Sequence, residues 1–161
     1  MHNPLASPTD YEIFIYSLPE IYASIEQSQL VYIPRGALVG CVAGMLVFAG
    51  NVILCVHEYL NFELGIIEGY GYEVSRSHVR LEFLPPTDEY CRASYSKKDK
   101  LYWYDSFPHP QDPTLASTDP HHKHVPPDIK QHRIPAPDLT FTAPNLPFLV
   151  KKIEQTVLMR R

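Results

Sequence analysis

The sequence lacks the features that mark several common protein classes. It has only three cysteines, Cys41, Cys55 and Cys91, and no CxxC pair, so a disulfide framework or a zinc ribbon is not expected. Cys41 and Cys55 lie in apolar surroundings and are predicted to be small core residues. The motifs GxSxG, GxGxxG, HExxH and the P-loop are also missing, so nothing points to the enzyme classes that carry them.

A targeting segment and a strongly basic surface are missing as well. The first ten residues, MHNPLASPTD, contain neither a basic region nor an apolar run, so no secretory signal is expected and the cytoplasm is the predicted compartment. Residues 1–75 hold one base against eight acids, and residues 76–161 hold thirteen bases and ten acids. An excess of three positive charges falls short of a nucleic-acid footprint and is typical of a surface of mixed sign.

What the chain does have is a composition that suits one globular domain over residues 1–161. Hydrophobic residues make up 45% of its 161 residues and charged residues 20%. Twelve of the sixteen prolines fall between Pro85 and Pro147, which predicts turns and extended segments in that half.

The uncharged run from Ala37 to Val56 is long enough to span a bilayer. It contains Ala49-Gly50-Asn51, and Gly and Asn tolerate the positive φ of a tight turn. β-branched and aromatic residues flank that turn on both sides. The run therefore predicts a hairpin covered on both faces, with no membrane span.

Helices are predicted near both ends of the chain. Ser17 to Glu20 has the pattern of a capping box, which predicts a short amphipathic helix with Ile21 and Ile25, and with them Tyr22 as an option, on one face. Asn145 and Pro147 predict the start of a final helix with an apolar stripe, and Arg160-Arg161 would suit its C-terminal dipole.

Strands are expected wherever β-branched and aromatic residues cluster or alternate between these helices. The predicted strands are Leu30–Ile33, Ala37–Phe48, Val52–Phe62, Ile66–Val74, Val79–Leu84, Tyr90–Tyr95 and Leu101–Tyr104. Residues 97–100 have the composition of a hairpin tip, and residues 106–147 that of a long loop. The expected fold class is α+β, a curved antiparallel sheet with an N-terminal and a C-terminal helix and a long Pro/His-rich loop.

The loop carries most of the residues suited to chemistry. Five of the eight histidines lie between His109 and His132, and histidine both gives and takes protons near neutral pH. Cleavage of RNA through the ribose 2′-hydroxyl needs a base, an acid and a cation near the phosphate, and no cofactor. The candidate catalytic residues are His122, His124, Lys123, Asp105, Tyr104, His109 and His121, and the candidate RNA-binding residues are Arg133, Trp103 and His132.

The residues leave other interpretations open. His122 and His124 would point to one side of an extended segment and could bind a metal with Asp105, His109 or His132, although no zinc signature has this spacing. Alternatively, the histidines have a structural role and hold the loop on the sheet through hydrogen bonds. A further alternative is that the loop is a docking surface for a protein. His57 is predicted to be an ordinary strand residue.

The run LYWYDSFPHPQDPTLASTDPHHKHV resembles the signature block of the TumE-type toxins. In that family a strand ends in Tyr-Asp and leads through Pro-His to a Pro-His-His-Lys-His segment, here Tyr104-Asp105, Pro108-His109 and Pro120 to His124. The upstream strand–turn–strand ending in Glu58-Tyr59 is similar too. Ser106 stands where the family would have Asn, and the stretch between Val74 and Tyr95 is longer.

The resemblance implies a toxin that a neighbouring antitoxin neutralises, expected to be a helix-turn-helix protein. It does not imply a target. The resulting hypothesis is a growth-inhibiting toxin that cleaves RNA without a cofactor and has no membrane contact, and the alternative is a non-catalytic binding module.

Overall fold

The computed structural model describes residues 2–93 and 98–159 and confirms the predicted fold class. An open, eight-stranded antiparallel sheet has the strand order β1-β3-β4-β5-β6-β7-β8, and β2 also pairs with β3. The strands are β1 Ile25–Ser28, β2 Val31–Pro34, β3 Val39–Phe48, β4 Val52–Asn61, β5 Ile66–Ser77, β6 Lys98–Asp105, β7 His122–His124 and β8 Arg133–Pro135. The helices are α1 Pro8–Ile21, α2 Thr87–Cys91 and α3 Leu146–Ile153.

The N-cap of helix α1 is Ser7, ten residues before the predicted N-cap Ser17. The Ser7 hydroxyl accepts a hydrogen bond from the backbone N–H of Asp10, and Pro8 occupies the first turn. The buried residues Tyr11, Ile15 and Leu18 recur at helical spacing, so the apolar run from Tyr11 to Tyr16 is helical. The predicted helix start at Ser17 was therefore wrong.

The residues beyond α1 correct a second expectation. Ile25 does not belong to a helix but begins strand β1, where it pairs with Phe48. Ile25 is buried in the main hydrophobic core, whereas Ile21 at the end of α1 is exposed, so the two do not share one apolar helix face.

The hairpin of β3 and β4 confirms the prediction made from the uncharged run. Gly50 and Asn51 form its turn with φ of 72° and 62°. Leu46 and Leu54 face the main core, whereas Met45 and Ile53 face a second apolar cluster on the other side of the sheet. Among the residues that the structure describes, no helix is long and apolar enough to cross a membrane.

Two predicted strands after β5 were wrong. Leu81–Phe83 forms a 3-10 turn, and Tyr90 lies in α2, where Asp88 and Glu89 favour the helix N-terminus. The remainder of that second prediction, residues 94–95, falls outside the described residues. Strand β6 begins at Lys98, so the predicted hairpin tip is wrong for residues 98–100, while residue 97 is not described.

The cysteines also differ from expectation. Cys55 forms a disulfide with Cys91, their Cα atoms being 5.9 Å apart, whereas Cys41 is free and buried as predicted. Cysteine spacing gave no sign of this pair because strand β4 and helix α2 meet only in the folded sheet.

Helix α3 confirms the predicted C-terminal helix. Leu146, Leu149, Val150 and Ile153 are buried in the main core. Asn145 occupies the N-cap position, but its amide bonds to Thr140 and to the Tyr72 hydroxyl instead of capping the helix. The predicted role of Arg160-Arg161 concerns residues outside the described part of the chain.

Candidate functional site

Strand alternation sorts the candidate residues onto opposite faces of the sheet. Strand β7 pairs with β6 so that His124 lies opposite Trp103 and His122 opposite Asp105. Since side chains alternate along a strand, these four lie on one face. The two short strands β7 and β8 form inside the segment that was expected to be a loop.

Asp105, His122 and His124 form a compact group, here called the His–Asp cluster. Nε2 of His122 lies 3.0 Å from Oδ1 of Asp105, and Nε2 of His124 lies 3.3 Å from Oδ2. The two Nε2 atoms are 3.1 Å apart. Both imidazoles are almost fully buried, whereas 27% of the Asp105 side chain is exposed.

The backbone fixes the orientation of both rings. Nδ1 of His122 lies 3.0 Å from the carbonyl oxygen of Pro120, and Nδ1 of His124 lies 3.0 Å from that of Ile129. A carbonyl oxygen only accepts hydrogen bonds, so each Nδ1 carries the proton and donates it. In the neutral rings each Nε2 therefore turns a lone pair toward Asp105.

Trp103 and Phe107 hold Asp105 in position. The indole N–H of Trp103 donates to Oδ2 at 3.3 Å, and the backbone N–H of Phe107 donates to Oδ1 at 2.9 Å. The Trp103 ring also stacks on His124 with 4.1 Å between centroids. The carboxylate thus has a fixed direction before any ligand arrives.

His109 and Arg133 lie beside the cluster. The His109 ring meets the His122 ring edge-on at 4.7 Å between centroids. Nη1 of Arg133 lies 2.9 and 3.0 Å from the two ring nitrogens of His109. Both residues line a cavity of about 420 Å³ that no cluster residue lines, so the ring contact with His122 is what places this imidazole and cation at the border of the cluster.

The environment moves the pKa values of the cluster residues apart. Burial opposes the charged form of His122, but hydrogen bonds to Asp105 and to the Pro120 carbonyl outweigh it and raise its pKa. Burial lowers the pKa of His124. Burial disfavours ionised Asp105, yet hydrogen bonds from His122 and the Phe107 N–H keep the pKa of this carboxyl low.

A groove of about 550 Å³ runs along the same face of the sheet from Asp105. Trp103, Lys100 and His57 contribute to its wall. The Lys100 ammonium lies 5.2 Å from the centroid of a Trp103 ring. The groove is also lined by the charged residues Arg35, Arg92, Glu73 and Asp88, so its charge is of mixed sign.

Four candidate residues do not join the cluster. Lys123 lies between His122 and His124 and points to the opposite face, where its ammonium is 4.2 Å from the Tyr102 ring centroid. Tyr104 is buried on that face in the main core. The Nδ1 atom of His121 lies 2.5 Å from the Tyr70 hydroxyl, and His132 is exposed and bonded to the Pro126 carbonyl.

The groove was hard to predict from the amino-acid sequence. His57 is an exposed residue of β4 that packs edge-on against Tyr59, and the alternation of buried and exposed positions along β4 could have indicated its face. Lys100, Arg92 and the carbonyls of Pro120 and Ile129 carry no motif. Tertiary packing brings them together: Arg92 follows α2, Lys100 lies on β6 opposite Ser75 of β5, and the two carbonyls reach the rings on β7.

Comparison with known proteins identifies a family. A family model described as Toxin TumE matches residues 24–157, which include every residue of the His–Asp cluster and most of the chain. No curated protein and no solved structure matches the chain.

Proposed function

The chain belongs to the TumE toxin family and is thus the toxin of a toxin–antitoxin pair, and we propose that it inhibits growth by cutting RNA at the His–Asp cluster. One observation carries the proposal, namely that His109, His122, His124, Asp105 and Arg133 converge on one side of the sheet. Imidazoles with a guanidinium and a carboxylate are the groups that transfer protons and stabilise charge around a phosphodiester.

In this proposal a single RNA strand lies in the groove that begins at Asp105. Lys100 faces its phosphates, and Trp103 offers an aromatic edge to a base. Arg133 stabilises the negative charge that develops on the phosphate beside His109. Asp105 orients His122 and His124 through its two carboxylate oxygens.

The short distance between His122 and His124 limits their roles. With Nε2 atoms 3.1 Å apart, they cannot stand on opposite sides of one phosphate as separate acid and base. We infer that they act as one unit with Asp105, and that His109 at the border of the cluster is the second group that exchanges protons. Sequence alone favoured a route without a cofactor, and these residues contain the proton-transfer groups for it.

The family implies an antitoxin partner. We propose that this partner is a helix-turn-helix protein encoded beside the toxin and that both act in the cytoplasm. Co-expression of such a protein should restore growth. Failure of the adjacent reading frame to restore it would contradict this part of the proposal.

The test is inducible expression of the wild-type chain and of the double variant His122→Ala, His124→Ala in bacteria without the antitoxin. We expect the wild type to arrest growth and fragment cellular RNA, and the double variant to do neither. His2→Ala is the matched control, because His2 is an exposed histidine far from the cluster in sequence, and its partner among the described residues is Asp10 near the start of α1. It should behave as the wild type.

Two results would contradict the proposal. Full toxicity of a stably folded double variant would show that the cluster is not the catalytic centre. Growth arrest with intact RNA would instead favour a non-catalytic module that acts by binding a protein. Purified protein incubated with a single-stranded RNA separates direct cleavage from an indirect cellular effect.

A further inference from the structure

We propose that the His–Asp cluster is a binding site for one divalent transition-metal ion of the zinc type, held by Nε2 of His122, Nε2 of His124 and the carboxylate of Asp105. This inference concerns the same site as the proposed function and names a ligand for it. The three side chains are the group of donors that the described residues bring within 4.8 Å of one another.

The separations between the donor atoms fit a shared ion. Zinc bonds to imidazole nitrogen and carboxylate oxygen are about 2.0–2.2 Å long, so two ligands at tetrahedral or octahedral angles lie about 2.8–3.6 Å apart. The observed separations are 3.0 Å, 3.1 Å and 3.3 Å. The two contacts of Asp105 run to different oxygens, Oδ1 to His122 and Oδ2 to His124, so the carboxylate would hold the ion through both oxygens or after a small turn.

The protonation pattern of the rings points the same way. Because Nδ1 of each ring donates to a backbone carbonyl, the three groups that face one another are two nitrogen lone pairs and a carboxylate. All three are acceptors, and their convergence is unfavourable without a positive charge between them. A single proton satisfies one pair of them, whereas a divalent ion satisfies all three.

The surroundings of the cluster resemble the support of a metal site. Metal-binding histidines commonly donate their second ring N–H to a backbone carbonyl, as His122 and His124 do to Pro120 and Ile129. The carboxylate is held by the Trp103 indole and the Phe107 N–H. Such contacts fix the direction of each donor and strengthen binding.

Two imidazoles and one carboxylate select the class of ion. Imidazole suits zinc, nickel and iron, whereas magnesium and calcium prefer shells made of oxygen. Three protein ligands leave at least one coordination position, and the partly exposed Asp105 lies at the groove where RNA would enter. With the ion bound, His122, His124 and Asp105 would hold it instead of exchanging protons, and proton transfer would rest on His109. The metal would stabilise charge on a phosphate beside Arg133, so cleavage would depend on a cofactor and not follow the cofactor-free route.

The experiment measures zinc and cobalt binding to the purified, chelator-treated full-length chain by calorimetry and by the visible absorption of bound cobalt. We expect one ion per chain for both metals and no saturable binding of magnesium. Asp105→Asn, which keeps the size of the side chain, should weaken metal binding by about 100-fold or more. His122→Ala and His124→Ala, each made separately, should weaken it to the same extent. His2→Ala and His132→Ala should bind as the wild type, since both histidines lie outside the cluster.

Absence of one-to-one binding to the wild type would overturn the inference, as would binding that survives the loss of both cluster histidines. Circular dichroism of each variant shows whether it is folded, and the Asp105→Asn variant provides the test if an alanine variant is not. RNA cleavage by metal-free protein with unchanged rate would exclude a role of the ion in cleavage and leave the proposed function intact. Tight zinc binding without any RNA cleavage would support the metal site and contradict the proposed function.

Discussion

The hydroxyl of Tyr11 donates a hydrogen bond to Oε1 of Glu58 at 2.6 Å and so ties helix α1 to the middle of the sheet. Glu58 is fully buried on strand β4, and the Tyr72 hydroxyl donates to its other carboxylate oxygen. Asn145, just before α3, in turn donates to the Tyr72 hydroxyl at 3.2 Å. One polar chain thus links both terminal helices to the sheet that carries the His–Asp cluster.

Tyr11→Phe should lower the free energy of unfolding by about 1–3 kcal/mol, because it leaves one oxygen of a buried carboxylate without its donor. Tyr59→Phe is the matched control, since 51% of Tyr59 is exposed, and should change stability by less than about 0.5 kcal/mol. Denaturant unfolding at neutral pH measures both. Equal stability of the two variants would mean that the bond from Tyr11 contributes nothing to the fold.

The free energy of unfolding should depend on pH in part through the titration of Glu58. Burial raises the pKa of this carboxyl above its ordinary value, although the hydrogen bonds from Tyr11 and Tyr72 act against the rise. A group with a raised pKa binds its proton more tightly in the folded state, so its stabilising contribution is complete below its unfolded pKa. That contribution is lost as the pH rises through the higher pKa of the folded state.

Glu58→Gln isolates this effect because the amide does not titrate. We expect the difference in unfolding free energy, wild type minus variant, to fall as the pH rises from acidic values toward neutrality. Denaturant titrations at a series of pH values give this difference directly. A difference that stays constant or grows with pH would show that Glu58 is not destabilised as an anion.

The burial of Glu58 illustrates what the sequence could and could not predict. The hairpin of β3 and β4 was predictable because its turn residues, Gly50 and Asn51, require positive φ locally and its strands form a continuous apolar run. Glu58 follows that run and carries no sign that Tyr11, 47 residues earlier, supplies its donor. Contacts of this kind arise from tertiary packing, as does the pairing of Cys55 with Cys91.

The candidate site divides in the same way. The spacing of His122 and His124 in an extended segment was enough to predict that they share a side, and Asp105 joins them across the β6–β7 pair. The same alternation excludes Lys123 from that side. The three-residue strand β7 was not predicted because its surroundings are rich in proline. The histidine-rich block was therefore interpreted as one loop whose side chains could all contribute to the site.

The opposite orientations of Lys123 and Arg133 lead to the last prediction, which compares Lys123→Met with Arg133→Met. Each change removes a long cation from one of the paired strands β7 and β8 and keeps an unbranched apolar side chain of similar length. The Lys123 ammonium lies over Tyr102 and Tyr104, so its loss should cost about 1 kcal/mol of stability and leave RNA cleavage within about threefold. The Arg133 guanidinium borders the cluster beside His109, so its loss should slow cleavage by about 100-fold or more. Cleavage rates on one RNA substrate measure both effects, and melting temperatures show whether each variant is folded. A folded Lys123→Met variant that no longer cleaves RNA would show that the active surface lies on the other face of the sheet.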